Sequence, residues 1–433
     1  MLYTDILFVF AFLPIALALT FILREPWERN LSAVVMSLIF LCWGRHLYYA
    51  LIILPVFAIY FAGRLLKKSY SRNIHTIGGA CALVFSAFAV ISLGDMSSLS
   101  SSICSVGFFL FASRCLVYLD EIKNGAEPET DFLSLAVYLI SYEFMLISPL
   151  SSYSRIKNSI KTRELTLTKA AAGIEIFIRG LFRASVLGFA FERVRYAALL
   201  SDATPWMNQL VGILACAVGF YVTFSAYGEM SQGLALMDGV ATENCTVGIT
   251  ARSTVSAHVR DFYESGAILV QKSFTKGKSA WQLVLTSVIV GVSFGFGAGW
   301  CAFIGLLLLA MMLEALSDTK TFSDGIVTFI VVVAGYILLA CSSPDGIARL
   351  VSSLNKNAYE FDMSYALYSE LMRSAFWLAL GVISITPVYK WVYTFIREKM
   401  SASDRSYGVM RVMGAVITLV MLILSAIAMV SVV

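Results

Sequence analysis

Imidazole, the usual proton carrier in hydroxyl-group chemistry, occurs only three times in 433 residues, at His46, His75 and His258. The first two stand near the ends of apolar runs, where an amphipathic ring needs no special role. That leaves His258 as the sole histidine candidate for general acid–base work. Its neighbours, Val255-Ser256-Ala257 and Val259-Arg260-Asp261, form no catalytic pattern, and a structural or surface role fits it better. Carboxylates come next. Glu143, Glu229 and Glu314 lie in apolar segments without a sequence-local cation, and an ionisable group at membrane depth is costly enough to be read as functional unless it is paired. Glu229 sits in FSAYGEMSQG, where Gly228 and Gly233 permit close helix approach; it is a candidate cavity-lining group, with an interhelical hydrogen bond as the plainer role. Glu175 and Arg179 stand four apart, in the order that favours a helical ion pair, and are expected to neutralise one another inside a bundle. Eight cysteines are scattered singly, with no C-x-x-C spacing. They read as small buried hydrophobes, and no metal site is expected.

The elements that must position these residues are set by composition. Hydrophobic residues make up 59% of the chain and charged residues 14%, with a mean hydropathy of +0.80, whereas soluble domains carry about a quarter charged residues. Such a chain is an all-α, polytopic integral membrane protein, expected as one membrane domain over residues 1–433. Apolar segments at 6–23, 31–44, 47–66, 76–94, 102–119, 132–150, 168–191, 207–227, 282–298, 300–316, 325–342, 373–394 and 411–433 predict about 11–13 membrane helices. Residues 6–23 are too long for the apolar core of a signal peptide and lack a small-residue cleavage site, so they are expected to remain as the first span. The net charge of +4, with no dense basic block, speaks against a nucleic-acid partner.

Lys/Arg-bearing connectors mark the cytoplasmic side: Lys67, Lys68 and Arg72; Arg155, Lys157, Lys161 and Arg163; Lys272, Lys276 and Lys278; and Lys390, Arg397, Lys399, Arg405 and Arg411. Odd–even counting cannot place all four there, so at least one segment between Glu129 and Lys278 is expected to enter and leave on the same face. The polar stretch from Gly239 to Ser279 is the best candidate, since irregular backbone at membrane depth must be enclosed by protein or water. The acidic connector Asp120–Asp131 tells little about orientation, because acidic residues hardly influence it.

Two blocks carry a family resemblance. FVFAFLPIALALTFIL, followed by ERNLSAVVMSLIFLCWGRHLYYALIILPVFAIYFAGRLL, is one; GFYVTFSAYGEMSQGLALMDGV is the other, through Phe224, Ser225, Tyr227, Met230, Gly233, Leu234, Met237 and Gly239. Their order resembles the membrane-bound O-acyltransferase (MBOAT) family, in the bacterial branch of alginate O-acetylation and teichoic-acid D-alanylation membrane proteins. The resemblance implies a helical bundle with re-entrant segments and a tunnel, for which Tyr227, Glu229, Phe296 and Trp300 are candidate lining residues. It also shows what has been replaced. The family's Glu-Phe-Trp-Arg-Arg-Trp-His matches Asp261-Phe262-Tyr263-Glu264-Ser265-Gly266-Ala267, with Ala267 at the histidine. Its Trp-His-Gly-Ala-x-Trp matches Gly295-Phe296-Gly297-Ala298-Gly299-Trp300, with Phe296 at the presumed catalytic base. Its Ala-Gly-Pro with a following Arg has become Ile147-Ser148-Pro149 with Ser152.

The expectation is therefore a family member without catalytic residues and without a cofactor. It would act as a scaffold or accessory subunit in bacterial cell-surface polysaccharide synthesis, modification or export, in the inner membrane among lipids and other membrane or periplasmic proteins. Two alternatives stand beside it. One is an active O-acyltransferase that uses acetyl-CoA or another acyl thioester and recruits Glu229 or His258. The other is a transporter or flippase of a lipid-linked or acyl substrate, which an unpaired Glu143 facing an open cavity would favour.

Overall fold

The computed structural model describes residues 1–44, 47–68, 99–148, 152–199, 206–240, 363–385 and 404–431, with scattered positions between 78 and 89 and Ala334. Among the described residues every regular element is helical. Among the described residues, four helical stretches are long and apolar enough to cross a membrane: Leu47–Lys67, Met207–Met237, Tyr365–Ile385 and Val412–Ser431. The chain is thus an all-α, multi-pass membrane protein. Predicted spans at 282–298, 300–316 and 325–342, and the basic connectors at 272–278 and 390–399, lie outside the described residues, Ala334 excepted.

The described residues fall into two compact units. The first runs to Phe177 and adds the stretch from Tyr227 to Val240. It contains a π-helical turn (Phe8–Phe12) leading into α1 (Leu13–Ile22), then α2 (Pro26–Cys42), α3 (Ile53–Lys68), α4 (Leu99–Lys123), α5 (Phe132–Ile140), α6 (Tyr153–Thr162) and the start of α7 (Leu167–Phe182). Local chemistry sets the ends of these helices. Pro26 opens α2, while the Glu28 carboxylate accepts the N–H groups of Arg24 and Glu25, both at 3.3 Å. Asp131 caps α5 by accepting the N–H groups of Leu133 and Ser134, each at 3.1 Å. At Gly233, the helix α9 (Trp206–Met237) crosses α7 backbone to backbone. A Cβ on Gly173 would lie 2.7 Å from the Gly233 carbonyl oxygen, and one on Gly233 would lie 2.7 Å from the Phe177 nitrogen. The expected close approach at Gly233 is present, with Gly173 as its counterpart.

The segment predicted as a span over 132–150 is a correction. Its helix stops at Ile140 after nine residues, about 13 Å of rise against a hydrocarbon core of about 30 Å. Residues 141–148 then run without helix and are buried throughout. Side chains from other elements take up the freed backbone groups. Ser37 Oγ accepts the Tyr142 N–H (2.7 Å), Tyr3 donates toward the carbonyls of Tyr142 (2.6 Å) and Glu143 (3.0 Å), and Ser231 donates to the Glu143 carbonyl (2.5 Å). The buried Arg114 guanidinium bonds the Phe144 carbonyl at 2.6 Å and the Ser148 hydroxyl. An enclosed break whose freed backbone groups find protein partners is what the membrane interior permits.

Both flanks of this broken segment meet on one face. Before it, Glu121 accepts the Ser154 N–H (3.2 Å) and Glu129 pairs with Lys157 (3.1 Å) and Lys161 (2.7 Å), all from α6 behind it. Glu127 also pairs with Lys67 at the end of α3. The connector before residues 132–148 and the helix after them therefore lie against one another. Of the stretch expected to enter and leave on the same face, Gly239 to Ser279, all beyond Val240 lies outside the described residues.

The second unit holds the rest of α7, a π-helical turn (Arg183–Gly188), α8 (Phe189–Leu199), most of α9, α10 (Tyr365–Ile385) and α11 (Asp404–Ser431). Its core gathers Phe182, Leu187, Phe191, Val194, Val222 and Leu367. Arg193 pairs with Glu370 at 2.8 Å, and Asn208 bonds Ser364 at 2.7 Å.

Candidate functional site

Polar groups converge behind the broken segment of the first unit. Arg163 closes α6 in the left-handed conformation (φ 41°, ψ 60°), unusual for a side chain with a Cβ. That backbone turns the guanidinium inward, where it is 1% exposed. Its Nε donates to Asn30 Oδ1 at 2.9 Å, and its Nη1 lies 3.5 Å from Asp238 Oδ2 and 4.0 Å from Glu143 Oε1. Arg29 of α2 reaches the Arg163 carbonyl at 3.0 Å and so fastens the joint between α6 and α7. Asp238 follows the last residue of α9 and precedes Gly239, whose φ of 77° makes the turn. Its carboxylate accepts from Thr20 (Oδ1, 3.1 Å) and from the Tyr142 hydroxyl (Oδ2, 3.0 Å).

Glu143 is fully buried, with Arg163 Nη1 at 4.0 Å from its Oε1 and the Asp238 and Ser141 side chains beside its carboxylate; Arg163 Nη2 has no hydrogen-bond acceptor. Beside this centre, Met1, Phe40, Leu41, Cys104, Phe108, Met145 and Leu146 line a cavity of about 10 Å³, room for about one water. Among the described residues no group of three or more His, Cys, Asp or Glu is arranged to hold a metal.

The structure brings one predicted residue, Glu143, into this centre and links another to it. Tyr227 is 1% exposed, with its hydroxyl 2.9 Å from Thr4 Oγ1 and its ring stacked on Tyr3 at 5.8 Å. Tyr3 is the residue that holds the carbonyls of Tyr142 and Glu143. Glu229 is buried at 6% exposure. The expected buried pair is a correction, because Glu175 and Arg179 both lie on the exposed side of α7. The packed stripe of that helix runs through Gly173, Phe177 and Leu181, and residues four apart share a face, so both fall opposite it. His46, His75, His258, Ala267, Phe296, Trp300 and Glu314 lie outside the described residues.

Arg163, Asp238, Arg114 and Tyr3 were missed at the sequence level. Arg163 read as one more basic connector residue, and Asp238 as the variable position of a Met-x-Gly turn. A polar side chain directly after a 32-residue apolar helix, before a turn glycine, was the available signal.

The acidic connector also matters more than its charge implied. Glu129 is 1% exposed and accepts from Lys161 (2.7 Å) and Tyr153 (2.7 Å), as well as from the N–H groups of Thr130 (3.0 Å) and Asp131 (3.1 Å). Burial pushes this carboxyl up, but these bonds, with Lys157, outweigh it and hold it down to about 2.

No protein-family profile matches the chain. It is 21% identical over 431 residues to the protein named "Probable alginate O-acetylase AlgI" of Azotobacter vinelandii, covering 89% of this chain and 84% of that one. Proteins of the same name from Pseudomonas syringae pv. tomato and Pseudomonas putida are 23% identical over 263 residues and 24% over 259. Each of these alignments covers 55% of this chain, and 50% and 53% of the respective relative. The chain spans about half the length of these two. A collinear match over most of both chains, joined to a multi-pass helical build, makes this membrane protein similar to the bacterial alginate O-acetylases.

Proposed function

We propose that this chain is an accessory membrane protein in the synthesis, modification or export of a bacterial surface polysaccharide, seated in the cytoplasmic membrane and no longer an acyltransferase. The polysaccharide setting rests on the relatives, which are named for O-acetylation of alginate. The loss of chemistry rests on Phe296. Transfer of an acyl group from a thioester to a hydroxyl needs a base within hydrogen-bond reach of the attacking oxygen, worth about 10²–10⁴ in rate. A phenyl ring has no lone pair and no proton to give. No histidine follows His258 in the chain, so no shift of register restores an imidazole near position 296. The flippase reading is not strengthened, because Glu143 is fully buried against Arg163 instead of facing an open cavity.

Genetic rescue tests the accessory role. Deleting the gene is expected to reduce the surface polysaccharide or its decoration, and a chain carrying both Glu229→Gln and His258→Ala is expected to restore it as fully as the wild type. Rescue by the wild type but not by the stably inserted double variant would show that proton-transferring side chains are still in use and would overturn the proposal.

A further inference from the structure

We infer that the α1–α2 hairpin is a lipid-facing wall that thins the bilayer beside it, holding the hydrocarbon layer to about 24 Å or less against an ordinary thickness of about 30 Å. Each helix shows one exposed row that repeats every fourth residue. On α1 and the π-helical turn before it, the row is Ile6, Phe10, Pro14, Ala18 and Ile22; on α2 it is Trp27, Leu31, Val35, Ile39 and Trp43. Residues four apart share a helix face, so each row is one continuous strip. The other side of α2 is already occupied: Ser37 and Phe40 are buried, and Ser37 Oγ holds the Tyr142 N–H of the broken segment. The exposed rows carry no charge and no hydrogen-bonding side chain except the two indoles. Their partner is therefore the acyl chains of lipid.

Length then sets the thickness. Both rows advance by 16 residues, from 6 to 22 and from 27 to 43, a rise of about 24 Å that any tilt shortens. On α2 the ends are marked by side chain as well as by length. Exposed tryptophans settle at the headgroup level, and Trp27 and Trp43 are 57% and 49% exposed. Just inside Trp27, Glu28, Arg29 and Asn30 fill the first turn, so the purely apolar part from Leu31 to Trp43 rises only about 18 Å. Arg29 cannot reach out to a more distant headgroup layer, because it is committed to the carbonyls of Leu23 and Arg163. The interior behind the hairpin is short too, since α5 packs on α2 and ends after nine residues. A lipid-facing stretch shorter than the hydrocarbon layer is met by thinning of that layer. This inference does not depend on whether acyl transfer survives.

Cryo-electron microscopy of the wild-type full chain in dioleoylphosphatidylcholine nanodiscs images the two headgroup layers directly. Beside α1 and α2 they are expected to draw together by about 6 Å or more relative to the layers away from the protein. In nanodiscs of a longer-chain phosphatidylcholine the dip should deepen while the separation at the hairpin stays the same. Headgroup layers that run level past the hairpin, or a separation there that follows the bulk, overturn the inference, as does density of a second protein chain covering the two rows. A second measurement checks that the hairpin reaches both surfaces. W27C and W43C, each in a cysteine-free background, should react with a membrane-impermeant maleimide from opposite sides, and labelling of both from one side overturns the inference. The imaging needs no substitution, so the test does not hinge on the variants folding.

Discussion

Replacing Glu129 with glutamine isolates the contact that closes the broken segment onto α6. An ordinary glutamate titrates near 4.5, whereas Glu129 is held at about 2. At about 1.4 kcal/mol per tenfold change, that gap corresponds to about 3 kcal/mol of stability at neutral pH. The sign follows from the direction. A carboxyl held down in the folded state contributes fully above 4.5 and loses its contribution as pH falls toward 2. Lys157 and Lys161 are partly exposed and regain water when the charge is removed, so the cost is the lost pairing, not two stranded ammonium groups. In soluble proteins of 150–250 residues, 1 kcal/mol moves Tm by about 2–4 °C, and by less in a longer chain; E129Q should therefore lower Tm by about 3–6 °C. Thermal unfolding of the detergent-solubilised protein, followed by the intrinsic fluorescence of its seven tryptophans, gives the value at each pH. The gap between wild type and E129Q should shrink by more than half between pH 5 and pH 3. A Tm within 1 °C of wild type at pH 7, or a gap independent of pH over that range, would refute the reasoning.

Two further outcomes follow from the same geometry. Gly233→Leu, which drives a side chain into the α7 backbone, should sharply reduce the yield of folded protein or lower Tm by more than E129Q does, whereas Gly414→Ala, where a Cβ meets nothing within 4 Å, should change Tm little. Single cysteines at Glu127 and Asn158 in a cysteine-free background should react with a membrane-impermeant maleimide from the same side of the membrane; labelling from opposite sides would mean that residues 132–148 cross it.

Much of the architecture was legible because lipid imposes one rule, that apolar runs become helices, and α1, α3, α9, α10 and α11 lie where such runs occur. The break at Ile140 was not. FLSLAVYLISYEFMLIS is continuously apolar enough to pass for a span, and its few polar residues look like tolerated guests. What makes a break affordable lies elsewhere in the chain: Tyr3, Ser37 and Ser231 stand 139, 105 and 88 residues away from the backbone groups they satisfy. No local pattern encodes partners at such distances. Topological counting called for some segment between Glu129 and Lys278 to double back and pointed to the more polar stretch from Gly239 to Ser279, not to residues 132–148. Glu143 was recognisable as a carboxylate without a local cation, but its partners were not, because Arg163 looks like any basic residue at a helix end until its left-handed backbone turns it inward. Glu175 and Arg179 failed in the opposite way: spacing fixed their shared face correctly, but only packing through Gly173 and Phe177 decides that this face is exposed.

Turnover measures directly whether acyl transfer has been lost with the proposed replacement at Phe296. Full-length protein in nanodiscs, given labelled acetyl-CoA and an alginate or other polysaccharide acceptor, is predicted to release CoA and transfer label no faster than protein-free nanodiscs, while a catalytic alginate O-acetylase assayed beside it turns over. Acyl transfer above that background, abolished by Glu229→Gln or His258→Ala, would contradict the account.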